Sequence, residues 1–153
     1  MYKPSILFVC TGNTCRSPMA EVLAKVIFAE NELDIEVSSA GVFAFDGQAA
    51  SKNAVQAMLD EKIDLSAHAS CYLSSETLEK ASLVLTMTNG HLQTVLELHP
   101  QANAFTLNEY ANQPYDVSDP YGGDLEVYKQ CATQIKQLIT LSVAKIQEDL
   151  WKA

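Results

Sequence analysis

The sequence predicts an α/β fold: a mostly parallel sheet with helices on both faces. Three observations lead there. An apolar run, Ile6-Leu7-Phe8-Val9, stops at Cys10 and gives way to a polar loop, with Pro18 where a helix can begin. Short β-prone runs then alternate with longer stretches of helical periodicity, the order that builds parallel sheets with crossover helices. Finally, no repeat, low-complexity tract or linker divides the 153 residues, a length that suits one domain over 1–153.

Ile6–Val9 reads as a strand buried on both faces. From Pro18 to about Asn31, Met19, Val22, Leu23, Val26 and Ile27 recur at helical spacing and predict a helix packing this stripe on the sheet. Leu33–Ala40 alternates and predicts a strand ending at Gly41, followed by a loop over Val42–Ala50 that carries Phe43 and Phe45 beside the first loop. A second helix follows near Ser51 with Val55, Met58 and Leu59 as its apolar residues, then Ile63; residues 64–73 read as irregular. Ser74 or Ser75 can cap a short helix through Lys80. Leu83–Thr88 reads as a central strand, and Asn89-Gly90 turns the chain into a helix around His91–Leu98 that Pro100 ends. Phe105-Thr106-Leu107 predicts a short strand, and 108–123 is the longest irregular stretch. The last helix runs from about Leu125 to Trp151, with Ile135, Leu138, Ile139, Val143 and Ile146 on its apolar side.

Composition narrows the function classes. A net charge of −9 argues against a nucleic-acid partner and makes any anion site a local positive spot on an acidic body. No run reaches the roughly 18 apolar residues of a membrane span. Met1-Tyr2-Lys3-Pro4 leads straight into a strand, unlike a secretory leader. Four cysteines without framework spacing fit a reducing cytosol, so a cytoplasmic location is expected.

The chemistry concentrates in the loop that opens at Cys10. A tight strand–loop–helix turn points backbone N–H groups into one concavity at the positive end of a helix, which makes an anion site. Those amides, the dipole and Arg16 favour a thiolate, so the Cys10 pKa is expected to fall below the free value of about 8.5. Arg16 can hold two phosphate oxygens as a planar fork, and Ser17 can hydrogen-bond the sulfur. Cys10 is therefore expected to attack phosphorus and form a cysteinyl-phosphate. A leaving group also needs a proton, and a carboxyl can give it and then activate water. Asp119, stiffened by Pro120, is the candidate, although Asp116 and Asp124 satisfy the same physical argument. The segment lacks the Gly-Lys-Ser/Thr ending of a nucleotide P-loop. His68, His91 and His99 lack zinc-type spacing and read as surface or loop residues, and Cys71 and Cys131 as structural. No metal or organic cofactor is implied.

Val-Cys-Thr-Gly-Asn-Thr-Cys-Arg-Ser-Pro-Met-Ala-Glu at 9–21 resembles the signature of the low-molecular-weight protein-tyrosine phosphatases. Thr11 and Thr14 resemble the bacterial protein-arginine phosphatase branch, where tyrosine-directed members usually carry larger aliphatic residues. Ser39-Ala40-Gly41-Val42-Phe43, Leu83–Thr88, Phe105-Thr106-Leu107 and Asp119-Pro120-Tyr121-Gly122-Gly123 extend the likeness over nearly the whole chain. The resemblance implies a four-stranded sheet of order 2-1-3-4 and carries the Asp-Pro acid onto Asp119. It implies phosphorylated proteins as substrates, with inorganic phosphate or a similar oxyanion held by Thr11, Gly12, Asn13, Thr14, Cys15 and Ser17. It also suggests that Thr14 favours phosphoarginine, and that Cys15 pairs with Cys10 after peroxide attack. Asn13 is expected to brace the loop, against Ser39, and Tyr121 to wall the substrate slot with Phe43 or Phe45 opposite. Gly122-Gly123 departs from the two adjacent aromatics that tyrosine-directed relatives often carry after Asp-Pro. Phosphotyrosine hydrolysis, arsenate reduction and a non-catalytic phosphate-binding module remain alternatives.

Overall fold

The computed structural model describes residues 3–151. Four parallel strands, β1 (Ser5–Cys10), β2 (Glu36–Gly41), β3 (Leu83–Thr86) and β4 (Ala104–Thr106), form one sheet in the order β2-β1-β3-β4. Helices α1 (Arg16–Glu30), α2 (Lys52–Asp60), α3 (Ser75–Lys80), α4 (Asn89–Leu98), α5 (Leu107–Tyr110) and α6 (Leu125–Leu150) complete it. The expected fold class and strand order are both present.

β1 is one of the two inner strands, and its alternation serves two cores. Ile6, Phe8 and Cys10 face the larger core, filled by Met19, Leu23 and Phe28 of α1, Met58 of α2 and Ile135, Ile139 and Ile146 of α6. Leu7 and Val9 face a smaller one with Leu78 of α3 and Val95 of α4. Ile6, Leu7, Phe8 and Val9 are each at most 1% exposed, a burial worth about 1.5–3 kcal/mol per side chain. Such a strand cannot shift, so its carboxyl end is a fixed platform.

Several boundaries differ from the sequence expectation. α1 starts at Arg16, not Pro18; the proline is its third residue, still within the first turn, where a missing N–H costs nothing. Val26 and Leu59 turn outward at 40% and 50% exposure, so the core faces of α1 and α2 are narrower than their apolar spacing suggests. β2 begins at Glu36, leaving Leu33 and Ile35 as partly buried packing at the edge of the core. Leu107 starts the four-residue helix α5, capped by the Thr106 hydroxyl, instead of ending β4. Trp151 follows the end of α6, whose start is capped by Asp124.

Candidate active site

Loop 11–15 hangs between the end of β1 and the start of α1, and neighbouring backbone shapes it. Cys10 pairs with Gly41 in the sheet, and the amides of Val42 and Phe43 donate to the carbonyls of Cys10 and Thr11. Gly41 has to be glycine here. A Cβ on it would lie 2.4 Å from the Thr11 carbonyl oxygen and 2.9 Å from the Asn13 nitrogen, both backbone atoms. Gly41→Ala is therefore expected to cost about 1–3 kcal/mol and to lower phosphate-releasing activity with it, checked by thermal melting and kcat/KM.

Asn13 holds the loop from within. It is fully buried with φ at +55°, in the left-handed region that asparagine tolerates. Its Nδ2 donates to Ser17 Oγ at 2.8 Å and to Ser39 Oγ at 3.0 Å, its Oδ1 accepts from the Cys71 amide at 2.9 Å, and its carbonyl accepts from His68 Nε2 at 2.7 Å. The Ser39 hydroxyl in turn donates to Glu21 Oε1 at 2.6 Å. With Ser17 Oγ accepting from Asn13, the serine proton is free to point at Cys10 Sγ, 2.8 Å away.

Cys10 is 2% exposed, and this corrects the expectation of a depressed pKa. Burial pushes the Cys10 thiol up. The Ser17 hydroxyl and amide, Arg16 and the Asn13 amide pull it down without overcoming that penalty. The donors were legible in the sequence, but the burial was not. The amides of Gly12, Thr14 and Cys15 donate to no group among the described residues, and α1 has no side-chain cap and no acidic residue in its first turn. The loop thus keeps three unspent backbone donors beside the Cys10 end of β1.

Arg16 is 4% exposed and tied at both ends of its fork. Nη1 donates to the Val117 carbonyl at 2.8 Å, while Nη2 lies 3.4 Å from Thr11 Oγ1 and 3.7 Å from Asp119 Oδ2. The structure separates the three aspartates that sequence left equal. Asp116 accepts from the Asn89 amide at the start of α4, and Asp124 caps α6. Asp119 stands at the cleft, with half its side chain exposed and its Oδ1 accepting from the Tyr121 amide. Buried Val117 and Pro120 pin the loop on either side of it.

A cleft of about 240 Å³ is lined by Cys10, Thr11, Gly12, Thr14, Cys15, Arg16, Asp119 and Tyr121. Tyr121 is 82% exposed and lines the cleft; Phe43 and Phe45, also exposed, are not in its lining, so the expected facing aromatic wall is not formed. The Thr14 hydroxyl meets only the Cys15 sulfur, at 3.8 Å, while its carbonyl accepts from the Ser51 amide. Cys15 is buried, with Tyr128 Oη at 3.4 Å and Ser51 Oγ at 3.5 Å, and all four cysteines are free. A cleft of similar size at the amino-terminal edge of the sheet, near Ser5, Glu36 and Lys80, holds none of these groups.

Three further residues were missed or misplaced by sequence reasoning. His91 is not a surface histidine: it is 6% exposed, with Nε2 2.8 Å from Thr11 Oγ1. His68 reaches the loop carbonyl of Asn13, and Glu21 ends the Asn13–Ser39 chain. Cys71 is exposed and serves the loop through its amide, whereas Cys131 is buried, which pushes its thiol up to about 12. Nothing local marked His91 or His68, since each lies more than fifty residues from its partner. No cluster of three or more potential metal ligands occurs among the described residues.

Chemically, one cleft brings together a buried sulfur, a loop with unspent amide donors, a fork-shaped cation and a half-exposed carboxyl. Known proteins share this arrangement of chain. Residues 5–152 match the family described as low molecular weight phosphotyrosine protein phosphatase. The chain is 42% identical to the protein-arginine-phosphatase of Bacillus subtilis, over 94% of this chain and 97% of the relative. It is 38% identical to the low molecular weight protein-tyrosine-phosphatase PtpB of Staphylococcus epidermidis, over 88% and 93%. Among solved structures, the arginine phosphatase YwlE carrying a phosphorylated active-site serine superposes with a TM-score of 0.90 at 40% identity, over 95% of this chain and 97% of that one. A low molecular weight protein tyrosine phosphatase from T. tengcongensis superposes with a TM-score of 0.89 at 42% identity, over 94% and 99%. On sequence and fold alike, this chain belongs to the low molecular weight phosphotyrosine protein phosphatase family, whose members are cysteine-based protein phosphatases.

Proposed function

We propose that the chain is one phosphatase domain, 1–153, that removes phosphoryl groups from phosphoarginine side chains of proteins. The observation that carries this reading is the cleft itself: Cys10 at its floor, Arg16 at its side and Asp119 at its mouth, with two small hydroxyl residues, Thr11 and Thr14, in its wall. The phosphoryl group sits in the loop of Thr11, Gly12, Asn13, Thr14, Cys15, Arg16 and Ser17, its oxygens taking the unspent amides and the guanidinium fork. Cys10 gives its thiol proton to water, and the thiolate Sγ attacks phosphorus as the bond to the leaving group breaks. Asp119 protonates that group, then draws a proton from the water that frees the cysteine. The Ser17 proton steadies the sulfur in both steps, and Asn13 with Ser39 holds Ser17 in place.

Selectivity falls to Thr14. A guanidinium beside phosphorus is planar and polar, and a short side chain with an unengaged hydroxyl leaves it room and a partner. The named arginine phosphatases among the relatives support the same reading. Thr14→Ile is expected to lower the ratio of phosphoarginine to phosphotyrosine activity about tenfold, the discrimination a lost polar contact can supply. A second reading, phosphotyrosine, is favoured by Tyr121 at the cleft and by the relatives named tyrosine phosphatases. Phosphate release from matched phosphoarginine and phosphotyrosine peptides, with Cys10→Ser as blank, decides between them. Preference for phosphotyrosine overturns the arginine assignment, and release from neither overturns the enzyme.

The net charge of −9 supports protein rather than nucleic-acid partners. No helix among the described residues is long and apolar enough to cross a membrane. A cytoplasmic setting, where thiols stay reduced, suits chemistry that needs Cys10 free.

A further inference from the structure

We propose that His91 is a positioning residue for phosphoryl recognition, making the Thr11 hydroxyl a dedicated donor aimed into the cleft. This rests on the phosphatase reading above and adds a residue from α4 to its machinery.

The argument is one of counting donors and acceptors. The Thr88 amide donates to His91 Nδ1 at 3.2 Å, so that nitrogen carries a lone pair and the single proton of the neutral ring is on Nε2. Nε2 lies 2.8 Å from Thr11 Oγ1 and therefore donates to it. Arg16 Nη2 approaches the same oxygen at 3.4 Å. A hydroxyl has two acceptor sites and one proton. With both acceptor sites taken, the Thr11 proton must go elsewhere, and Thr11 lines the same cleft as Cys10.

The ring is held for this task. Thr88 Oγ1 accepts from the His91 amide while Thr88 N–H donates back to the ring, a reciprocal cap that fixes the imidazole at the first turn of α4. Burial, with the Arg16 charge nearby, pushes the His91 pKa down to about 4, so near neutral pH the ring stays uncharged and Nδ1 remains an acceptor. A hydroxyl confined to donating recognises oxygens with lone pairs, as on a phosphoryl group. It offers nothing to the N–H groups of a guanidinium. His91 and Thr11 thus act on the part of the substrate common to every phosphorylated residue, whereas Thr14 acts on the part that differs.

Binding of inorganic phosphate, followed by titration calorimetry, tests this without needing turnover. Peptide hydrolysis is run in parallel, and its absence in the unmodified protein would count against the phosphatase reading alone. His91→Asn keeps an acceptor for the Thr88 amide but cannot reach Thr11; His91→Gln can place an amide N–H where Nε2 stands. His91→Asn and Thr11→Val are each expected to weaken phosphate binding about tenfold, the loss that follows one hydrogen bond to a charged group. KM for both peptides should rise in the same proportion, with the phosphoarginine to phosphotyrosine ratio unchanged. His91→Gln should restore most of the affinity, and His91→Asn should add nothing once Thr11 is valine. Unchanged phosphate affinity in His91→Asn overturns the proposal. So do losses that multiply in the double variant, or a defect that follows the melting temperature and is not rescued by glutamine.

Discussion

Arg16→Lys is expected to lower kcat/KM by about a hundred- to a thousandfold, the range seen when a preorganised donor to a transition-state oxygen is lost. Lysine preserves the charge, so the size of the effect tests geometry. Arg16 makes its contacts at two nitrogens at once: Nη1 on the Val117 carbonyl, and Nη2 between Thr11 Oγ1 and Asp119 Oδ2. A lysine ammonium is a point charge on a flexible stem and cannot hold the carbonyl and face the cleft together. Arg16 is also nearly fully buried, so a misdirected ammonium would meet a poorly solvated pocket. Steady-state kinetics on the phosphoarginine peptide, with circular dichroism to confirm folding, measures it. Activity within a few-fold of the parent protein would mean that charge alone suffices.

Asp119→Ala should produce a loss that depends on the leaving group. With the phosphoarginine and phosphotyrosine peptides a fall of about a hundred- to ten-thousandfold is expected, the contribution of a positioned general acid. An aryl phosphate whose phenol leaves readily without a proton should lose far less in the formation of the cysteinyl-phosphate. Phosphoarginine should suffer most, since the guanidine nitrogen is the most basic leaving group of the three. Asp116 and Asp124 are each engaged at a helix start, so alanine there should alter stability and leave this dependence intact. Equal losses across the three substrates would remove Asp119 from the acid role.

How much of this was legible in the sequence follows from how local each feature is. Loop 10–17 is a contiguous stretch whose neighbours in the chain are its neighbours in space. The turn and the Cys10–Arg16 spacing could therefore be read directly, although the helix they lead into begins at Arg16 and not at Pro18. Continuous apolar runs likewise marked β1 and β3, because a strand buried on two faces must be apolar throughout, whereas β2, half exposed, showed only as alternation. Periodicity says which residues share a face and not what that face meets, so Val26 and Leu59 were placed inward and lie outward. Helix α5 is a single turn, too short to show a period. His91 touches Thr11 across eighty residues of chain, and a lone histidine in an apolar helix carries no mark of such a partner. The burial of Cys10 arises from the packing of β1 among helices distant in the chain, which left the direction of its thiol pKa out of reach of local reasoning.

The most direct test of the central claim is the covalent state of Cys10 during turnover. Protein mixed with an aryl phosphate that has a good leaving group would be quenched within milliseconds and its peptides mapped by mass spectrometry. A phosphoryl group on Cys10, formed in a burst and lost as inorganic phosphate appears, is the expected result. Turnover with no phosphoryl group at Cys10, or with one on another residue, would contradict it.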